Sequence, residues 1–311
     1  MGPTRRKLLI VKNRQNKSTK NVAKPELYIV EEEAELLPFL LDTLSNRSRN
    51  SVKSILTRGQ VYVNGEVITK HNFQLEPGYK ISIEKNIVAK AASFTGLKIV
   101  HEDDDIIVIE KESGLLSISS PKEKSLTAYK QLMTYVQKIN PKNRVFVVHR
   151  LDRDTSGVMM FAKSEKVKLK LQNSWKDIVE ERAYIALVEG VIKKQEGTIT
   201  SWLKESKTLK MYSSSNPNDG QHAVTHYQKI QSNTNFTLLN VHLETGRKNQ
   251  IRVHMEDIGH PIVGDKKYGS KVNPISRLGL HAKTLAFKHP TTDEIMRFES
   301  NTPKSFFDSS K

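Results

Sequence analysis

Apolar positions along the chain follow two rhythms. Leu37, Leu40, Leu41 and Leu44 recur at helical intervals, as do Val52, Ile55 and Leu56, and each set predicts a short helix, the second stopped by Gly59. The string VYVNGEVI then sets Asn64 and Gly65 between two short β-runs, a strong hairpin signal, and Pro77 and Gly78 precede a last strand over residues 80–84. Two helices and a hairpin make a small unit over residues 36–84, with little core for stability on its own. From 97 to 299, β-rich runs at 106–109, 184–188 and 236–243 alternate with helical faces: Leu126, Tyr129, Leu132, Met133 and Val136 form one, and Val167, Leu171 and Ile178 another. No regular βαβ rhythm is present. The expected fold is therefore α+β, a mixed and mostly antiparallel central sheet flanked by helices, preceded by the small α/β unit. Residues 85–96 read as a linker, 1–25 as a disordered tail, and 300–311 as a polar, frayed end.

One apolar run breaks in an informative place. In VVHRLDRDTSGVMMFAKS, residues 147–164, buried-strand patterns on both sides (145–148 and 158–162) are separated by His149, Arg150, Asp152, Arg153 and Asp154, and Thr155, Ser156 and Gly157 are turn formers. The charges thus fall on a loop pinned by two core strands, the usual place for held chemistry. Taken alone, Arg and Asp in one turn can equally do no more than pair with each other.

Composition narrows the partner. The net charge is +16, and residues 1–25 carry eight basic residues and no acid, a footprint for a polyanion. No run of 18 apolar residues exists, so nucleic acid is favoured over membrane, and a soluble, unexported, cytoplasmic protein is expected. The absence of cysteine excludes disulfides, thiolate zinc sites and a cysteine nucleophile. No glycine-rich phosphate loop, GxGxxG or HExxH string occurs. His222 and His226 have metal-like spacing, but Ala223, Thr225 and Tyr227 alternate around them as in a strand, so no metal is expected.

Two further strings complete the set. ERAYIALVEG, residues 181–190, is a strand with Tyr184 near its start. LETGRKNQIRVHMEDIGHPIVGDKKYG, residues 243–269, reads as a helix opened by Gly246 that carries Asn249 and Arg252 three apart, on one face. With HRLDRDTSG, LGLHA (278–282) and KHPTT (288–292), these strings in this order closely resemble the RluA-type pseudouridine synthases over about 200 residues, 99–290. The 36–84 unit, with its SRNSVKSILTRGQVYVNG string, resembles the small RNA-binding fold named after ribosomal protein S-four, in which the helix and hairpin present basic side chains to phosphates.

The resemblance implies an enzyme that isomerises uridine to pseudouridine in RNA, mostly in large-subunit ribosomal RNA, without cofactor or metal. Transfer RNA is the alternative substrate; an idle RNA-binding or ribosome-assembly factor and a hydrolytic nucleosidase are the alternative activities. Asp152 is then the reacting carboxylate, as nucleophile or base; Arg252 pairs with it, and Tyr184 stacks on the base and assists proton transfer. Arg150 fills the place of the flipped nucleotide. Arg47, Arg49, Lys53 and Arg58 face RNA phosphates, and Asn249 is counted with the RNA-contacting residues. A monomer is the simplest state. Two departures from the family strings stand out: GRKNQIR replaces GRTHQIR, so the non-titrating Asn249 stands for a histidine, and KESG (111–114) replaces KPAG.

Overall fold

In the computed structural model the described residues are 26–57, 59–83, 94–120 and 126–311. The tail 1–25, Arg58 and most of the 85–96 linker lie outside them.

The N-terminal unit comprises β1 (Glu26–Ile29), β2 (Ala34–Glu35), α1 (Leu36–Thr43), α2 (Arg49–Thr57), β3 (Val61–Val63), β4 (Glu66–Val67), β5 (Gln74–Leu75) and β6 (Lys80–Ile83). The hairpin turns at Asn64 and Gly65, both at positive φ, as its sequence requires. Ser48 caps α2, its Oγ accepting the Ser51 N–H at 3.2 Å. The unit begins ten residues earlier than expected. β1 pairs antiparallel with β6, giving the sheet order β1-β6-β3-β4, and β2 pairs with β5. The added strands help close a core of Val30, Leu36, Leu40, Val52, Leu56, Val61 and Ile81. The ELYI run alternates in burial, but it sits beside the basic tail and has no second strand signal near it.

The second region is the expected α+β domain. It comprises β7 (Leu97–Glu102), β8 (Ile106–Lys111), α3 (Ala128–Ile139), β9 (Phe146–Val147), β10 (Ser156–Ala162), α4 (Glu165–Asn173), α5 (Trp175–Ile178), β11 (Val179–Glu189), β12 (Glu196–Glu205), β13 (Met211–Ser214), β14 (Gln221–Ser232), β15 (Phe236–Leu243), α6 (Gln250–Asp257), a 3₁₀ turn (Lys266–Tyr268), β16 (Leu280–Lys288), β17 (Ile295–Glu299) and α7 (Lys304–Ser309). One sheet runs β13-β12-β14-β15-β11-β16-β10-β8-β7, with β17 on β16 and β9 on β10. Every pairing in it is antiparallel except that of β10 with β16.

That parallel pairing positions the site. Gly157, at φ 117°, lies so close to β16 that a Cβ would fall 2.0 Å from the Ala282 carbonyl oxygen. Ser156 and Gly157, expected in the turn, are therefore strand residues, and the charged loop ends at Thr155. On the other side of β16, Tyr184 pairs with Ala282, beside a register shift between Ala183 and Tyr184. Strands β10, β16 and β11 thus bring the loop and the tyrosine to one place.

Three other expectations change. The apolar face Val167, Leu171 and Ile178 spans two helices, because the chain breaks at Ser174 between α4 and α5. Leu126 precedes α3 and is exposed. The chain end is not frayed: α7 buries Phe306 completely, beside Ile185, Leu187, Leu238 and Val263, and Gln231 and Asn233 hold its carbonyls.

Candidate active site

The charged loop is gripped from the 111–117 segment. Lys111 is fully buried, and its Nζ donates to the carbonyls of Leu115 (2.7 Å), Glu112 (2.9 Å) and Arg153 (2.9 Å). Ser117 Oγ donates to the Leu151 carbonyl (2.7 Å) and accepts the Leu151 N–H (3.2 Å), while Ser113 Oγ donates to the Asp154 carbonyl (2.7 Å). Burial draws the Lys111 ammonium down to about 7, against the opposing charges of Asp154 and Asp152. At the loop's start, His149 Nε2 accepts the Met160 N–H at 3.1 Å. Burial, with the nearby Arg182 charge, pushes this imidazole down to about 3, so it is a neutral structural pin. Arg153 and Asp154 form an exposed pair with each other, two bonds at 3.0 Å, and Arg150 is exposed.

The side chain of Asp152 is held from the opposite direction by α6 and the residue before it. Asn249 Nδ2 donates to Asp152 Oδ2 at 2.6 Å, and Arg252 Nη1 donates to the same oxygen at 3.1 Å. No donor among the described residues meets Oδ1. The expected helix from Gly246 is shorter: α6 starts at Gln250, and Asn249 is its N-cap in a left-handed conformation at φ 54°. The two side chains still converge, because the left-handed residue turns its amide toward the loop rather than along a helix face. Gln250 fixes this entry to the sheet, donating to the Val224 carbonyl and Thr225 Oγ1 (both 2.9 Å) and accepting from the Arg247 N–H (3.0 Å).

Behind Arg252 stands a second acid that sequence reasoning missed. Arg252 Nε and Nη2 make a two-point bond to Asp265, at 2.6 and 2.8 Å, and the Asp265 side chain is 1 % exposed. Burial alone would lower the guanidinium pKa, but Asp265 and then Asp152 outweigh it and the net shift is upward. Arg252 also lies over the ring of the buried Tyr268, 4.9 Å from its centre. The Tyr268 hydroxyl accepts the Met211 N–H at 3.2 Å and donates to Asn249 Oδ1 at 2.9 Å. That direction obliges Asn249 to turn its NH₂ group toward Asp152. GDKKYG was in view as a string, but nothing in it says that Asp265 and Tyr268 reach back to Arg252 and Asn249.

Arg150, Asp152, Tyr184, Asn249 and Arg252 line one narrow cleft with Leu243 and Leu280, a cavity of about 70 Å³. Burial raises the Tyr184 phenol, with Arg182 opposing and Asp152 adding to the rise, so it is protonated at neutral pH. Arg47, Arg49 and Lys53 are elsewhere, at the start of and along α2; Arg49 is exposed and the other two partly buried. His222 and His226 lie on strand β14, with His226 on Glu244 at 2.6 Å.

Residues 105–257 match the family model described as RNA pseudouridylate synthase. The Bacillus subtilis (strain 168) protein named "Uncharacterized RNA pseudouridine synthase YlyB" is 36% identical over 273 residues, covering 86% of this chain and 89% of its own. The chain belongs to the RluA-type RNA pseudouridine synthases. Members of this family are isomerases. "Ribosomal large subunit pseudouridine synthase D" of Vibrio cholerae is 33% identical over 273 residues, 82% of this chain and 84% of that one. Among solved structures, "Human RNA Pseudouridylate Synthase Domain Containing 1" aligns at TM-score 0.55 and 25% identity, over 69% of this synthase and 86% of that chain. Among the described residues, no helix of this synthase is long and apolar enough to cross a membrane.

Proposed function

We propose that this synthase isomerises uridines of large-subunit ribosomal RNA, with Asp152 as the reacting carboxylate. The observation that carries the reading is the asymmetry of that carboxylate: Oδ2 takes both donors, from Asn249 and Arg252, while Oδ1 meets no donor among the described residues, in a residue that lines one cleft with Tyr184.

The chemistry follows from the leaving group. A glycoside hydrolase needs two carboxylates because the departing sugar oxygen must be protonated. Uracil leaves through a ring nitrogen and spreads its charge over two carbonyls, so one acid suffices. Oδ1 acts on the sugar while Arg252 and Asn249 hold the carboxylate in place through Oδ2. The freed base, held in the cleft, turns and rejoins through carbon. Tyr184, protonated and lining the cleft, gives its phenol proton to the freed ring nitrogen as it takes the one that carbon must lose, so the phenol is restored. Arg150, exposed on the same loop, takes the place the flipped nucleotide vacates in the stack. The 26–83 unit adds phosphate contacts through Arg47, Arg49 and Lys53, which supply affinity without sequence information. The ribosomal substrate rests on the large-subunit naming of the Vibrio cholerae relative.

The test is a map of pseudouridines in the RNA of cells lacking this gene, complemented with the wild-type or the Asp152→Asn chain. Loss of one or a few large-subunit sites, restored by the wild type alone, is expected. Loss confined to transfer RNA, or restoration by Asp152→Asn, overturns the assignment.

A further inference from the structure

Beside the catalytic cleft lies a larger cavity of about 420 Å³, between α5, the start of β11 and the adjoining ends of β14 and β15. Leu243 lines both spaces, so a strand leaving one enters the other. The size suits a ligand of nucleotide dimensions. We propose that this cavity is a second RNA subsite, which takes the nucleotide adjoining the target uridine by stacking its base on Trp175 and binding its phosphate at Arg182. The inference rests on the RNA-modifying reading above and adds to it a site outside the reacting residues.

Charge placement carries the argument. Three acids rim the cavity, and each already has a partner: Glu181 pairs with Arg297, Glu180 with Lys288 (3.2 Å), and Glu244 is hydrogen-bonded to His226 (2.6 Å). Arg182 is different. Among the described residues no carboxylate pairs with it, and its one hydrogen bond is a long one, 3.3 Å, to the Leu243 carbonyl. Burying most of a guanidinium without an anion is costly, and an RNA phosphate entering the cavity would supply one. The guanidinium also lies close against the backbone at Gly246, where a Cβ would fall 2.6 Å from Arg182 Nη1.

The aromatic surface is also in place. The Arg182 guanidinium carbon is 5.7 Å from the Trp175 ring centre, and Trp175 is braced behind by His149, the pin of the catalytic loop, at 5.2 Å. A tryptophan with an arginine over its ring, both lining a cavity of nucleotide size, is the composition that holds single-stranded bases without reading sequence. His149 ties the two sites together, touching Trp175 and setting the start of the loop that bears Asp152.

Trp175 and Trp202 are the two tryptophans, so Trp202→Phe leaves Trp175 as the sole emitter. Full-length Trp202→Phe protein is titrated with an eight-nucleotide oligouridylate, with free uridine and with inorganic phosphate, while anisotropy of an end-labelled oligomer reports binding independently. Oligouridylate is expected to quench Trp175, and free uridine is not. Trp175→Ala is expected to weaken oligomer binding roughly 5- to 150-fold, the equivalent of about 1–3 kcal/mol for one stacked base. Trp175→Phe should retain most of the affinity, and Arg182→Lys should bind more tightly than Arg182→Met. Saturating anisotropy with Trp175 emission unchanged overturns the subsite, whether or not the protein forms pseudouridine. Quenching in a protein that forms no pseudouridine in any RNA supports the subsite while removing the enzymatic reading.

Discussion

Asp265 offers the sharpest test of how the site is built, because it touches Arg252 and not the cleft. Asp265→Asn keeps the shape but removes the charge, and sets an amide NH₂ where a guanidinium expects an acceptor. The bond lost is a two-point pair at 2.6 and 2.8 Å with the acid 1 % exposed. Leaving one partner of such a pair buried costs about 3–5 kcal/mol. Arg252 retains Asp152 and the face of Tyr268, so the lower figure applies, about 3 kcal/mol. At roughly 2–4 °C per kcal/mol this is a fall in Tm of about 6–12 °C, read by circular dichroism at neutral pH. Activity should fall further than binding, since a catalytic group displaced by ~1 Å can cost on the order of 10²-fold in rate. Tritium release from RNA labelled at uridine carbon 5 measures that rate, with KM nearly unchanged. Because Asp265 acts through Arg252, the Arg252→Gln/Asp265→Asn double variant should turn over no more slowly than Arg252→Gln alone. A Tm within ~2 °C of wild type, or losses that multiply in the double variant, would refute this construction of the site.

Other outcomes follow from the same geometry. Lys111→Met strands the buried Leu115 carbonyl, while the Arg153 carbonyl keeps the Gly114 N–H (3.0 Å), so unfolding free energy in urea should drop by about 1–3 kcal/mol. Tyr184→Phe should lower kcat in the tritium assay while leaving RNA affinity nearly intact, because the ring stays and only the proton goes. Stability should decline with acidity: His149 is held down to about 3, and His254 and His281 to about 4, all mainly by burial. Below the unfolded value near 6.5 the unfolded chain binds protons that the folded chain refuses, so each costs about 2 kcal/mol at pH 5. His289 works the other way, since Asp103 outweighs its burial and raises it; urea midpoints from pH 7 to pH 5 give the net, and a rising midpoint would contradict it. Phe306→Ala should cost about 3–5 kcal/mol in the same unfolding measurement.

What could be read in advance was local or repeated. The strand over residues 236–243 was placed by its apolar run, the hairpin at Asn64 and Gly65 by turn chemistry, and the loop from His149 by the charge break in a buried pattern, although it ends at Thr155 and not at the expected Gly157. Asp152, Tyr184 and Arg252 came from the resemblance, and the fold brings them to one cleft. What stayed hidden depends on distant pairing. Asp265 and Asp152 meet Arg252 from opposite sides across 13 and 100 positions of sequence, and no periodicity encodes that. KESG was notable in the sequence only for its missing proline, because burial of Lys111 becomes visible only once three carbonyls surround it. The 300–311 end reads as polar on average, while its stability hangs on one residue, Phe306.

Backbone and side chain at position 152 are fixed by different parts of the chain. The segment 111–117 grips the carbonyls of Leu151, Arg153 and Asp154 from one side. The 249–252 turn grips Oδ2 from the other, backed by Asp265 and Tyr268. Each grip alone would let the carboxylate swing about the bond the other leaves free; together they fix a residue that lines the cleft, with both donors on Oδ2 and none among the described residues on Oδ1. Asn249 fits this division well. An amide in place of a titrating ring cannot change its charge, and Tyr268 keeps its NH₂ group toward the acid at any pH where the phenol is protonated. The departure from the family histidine therefore costs this site no donor, and it frees the orientation of Asp152 from any titration near neutrality.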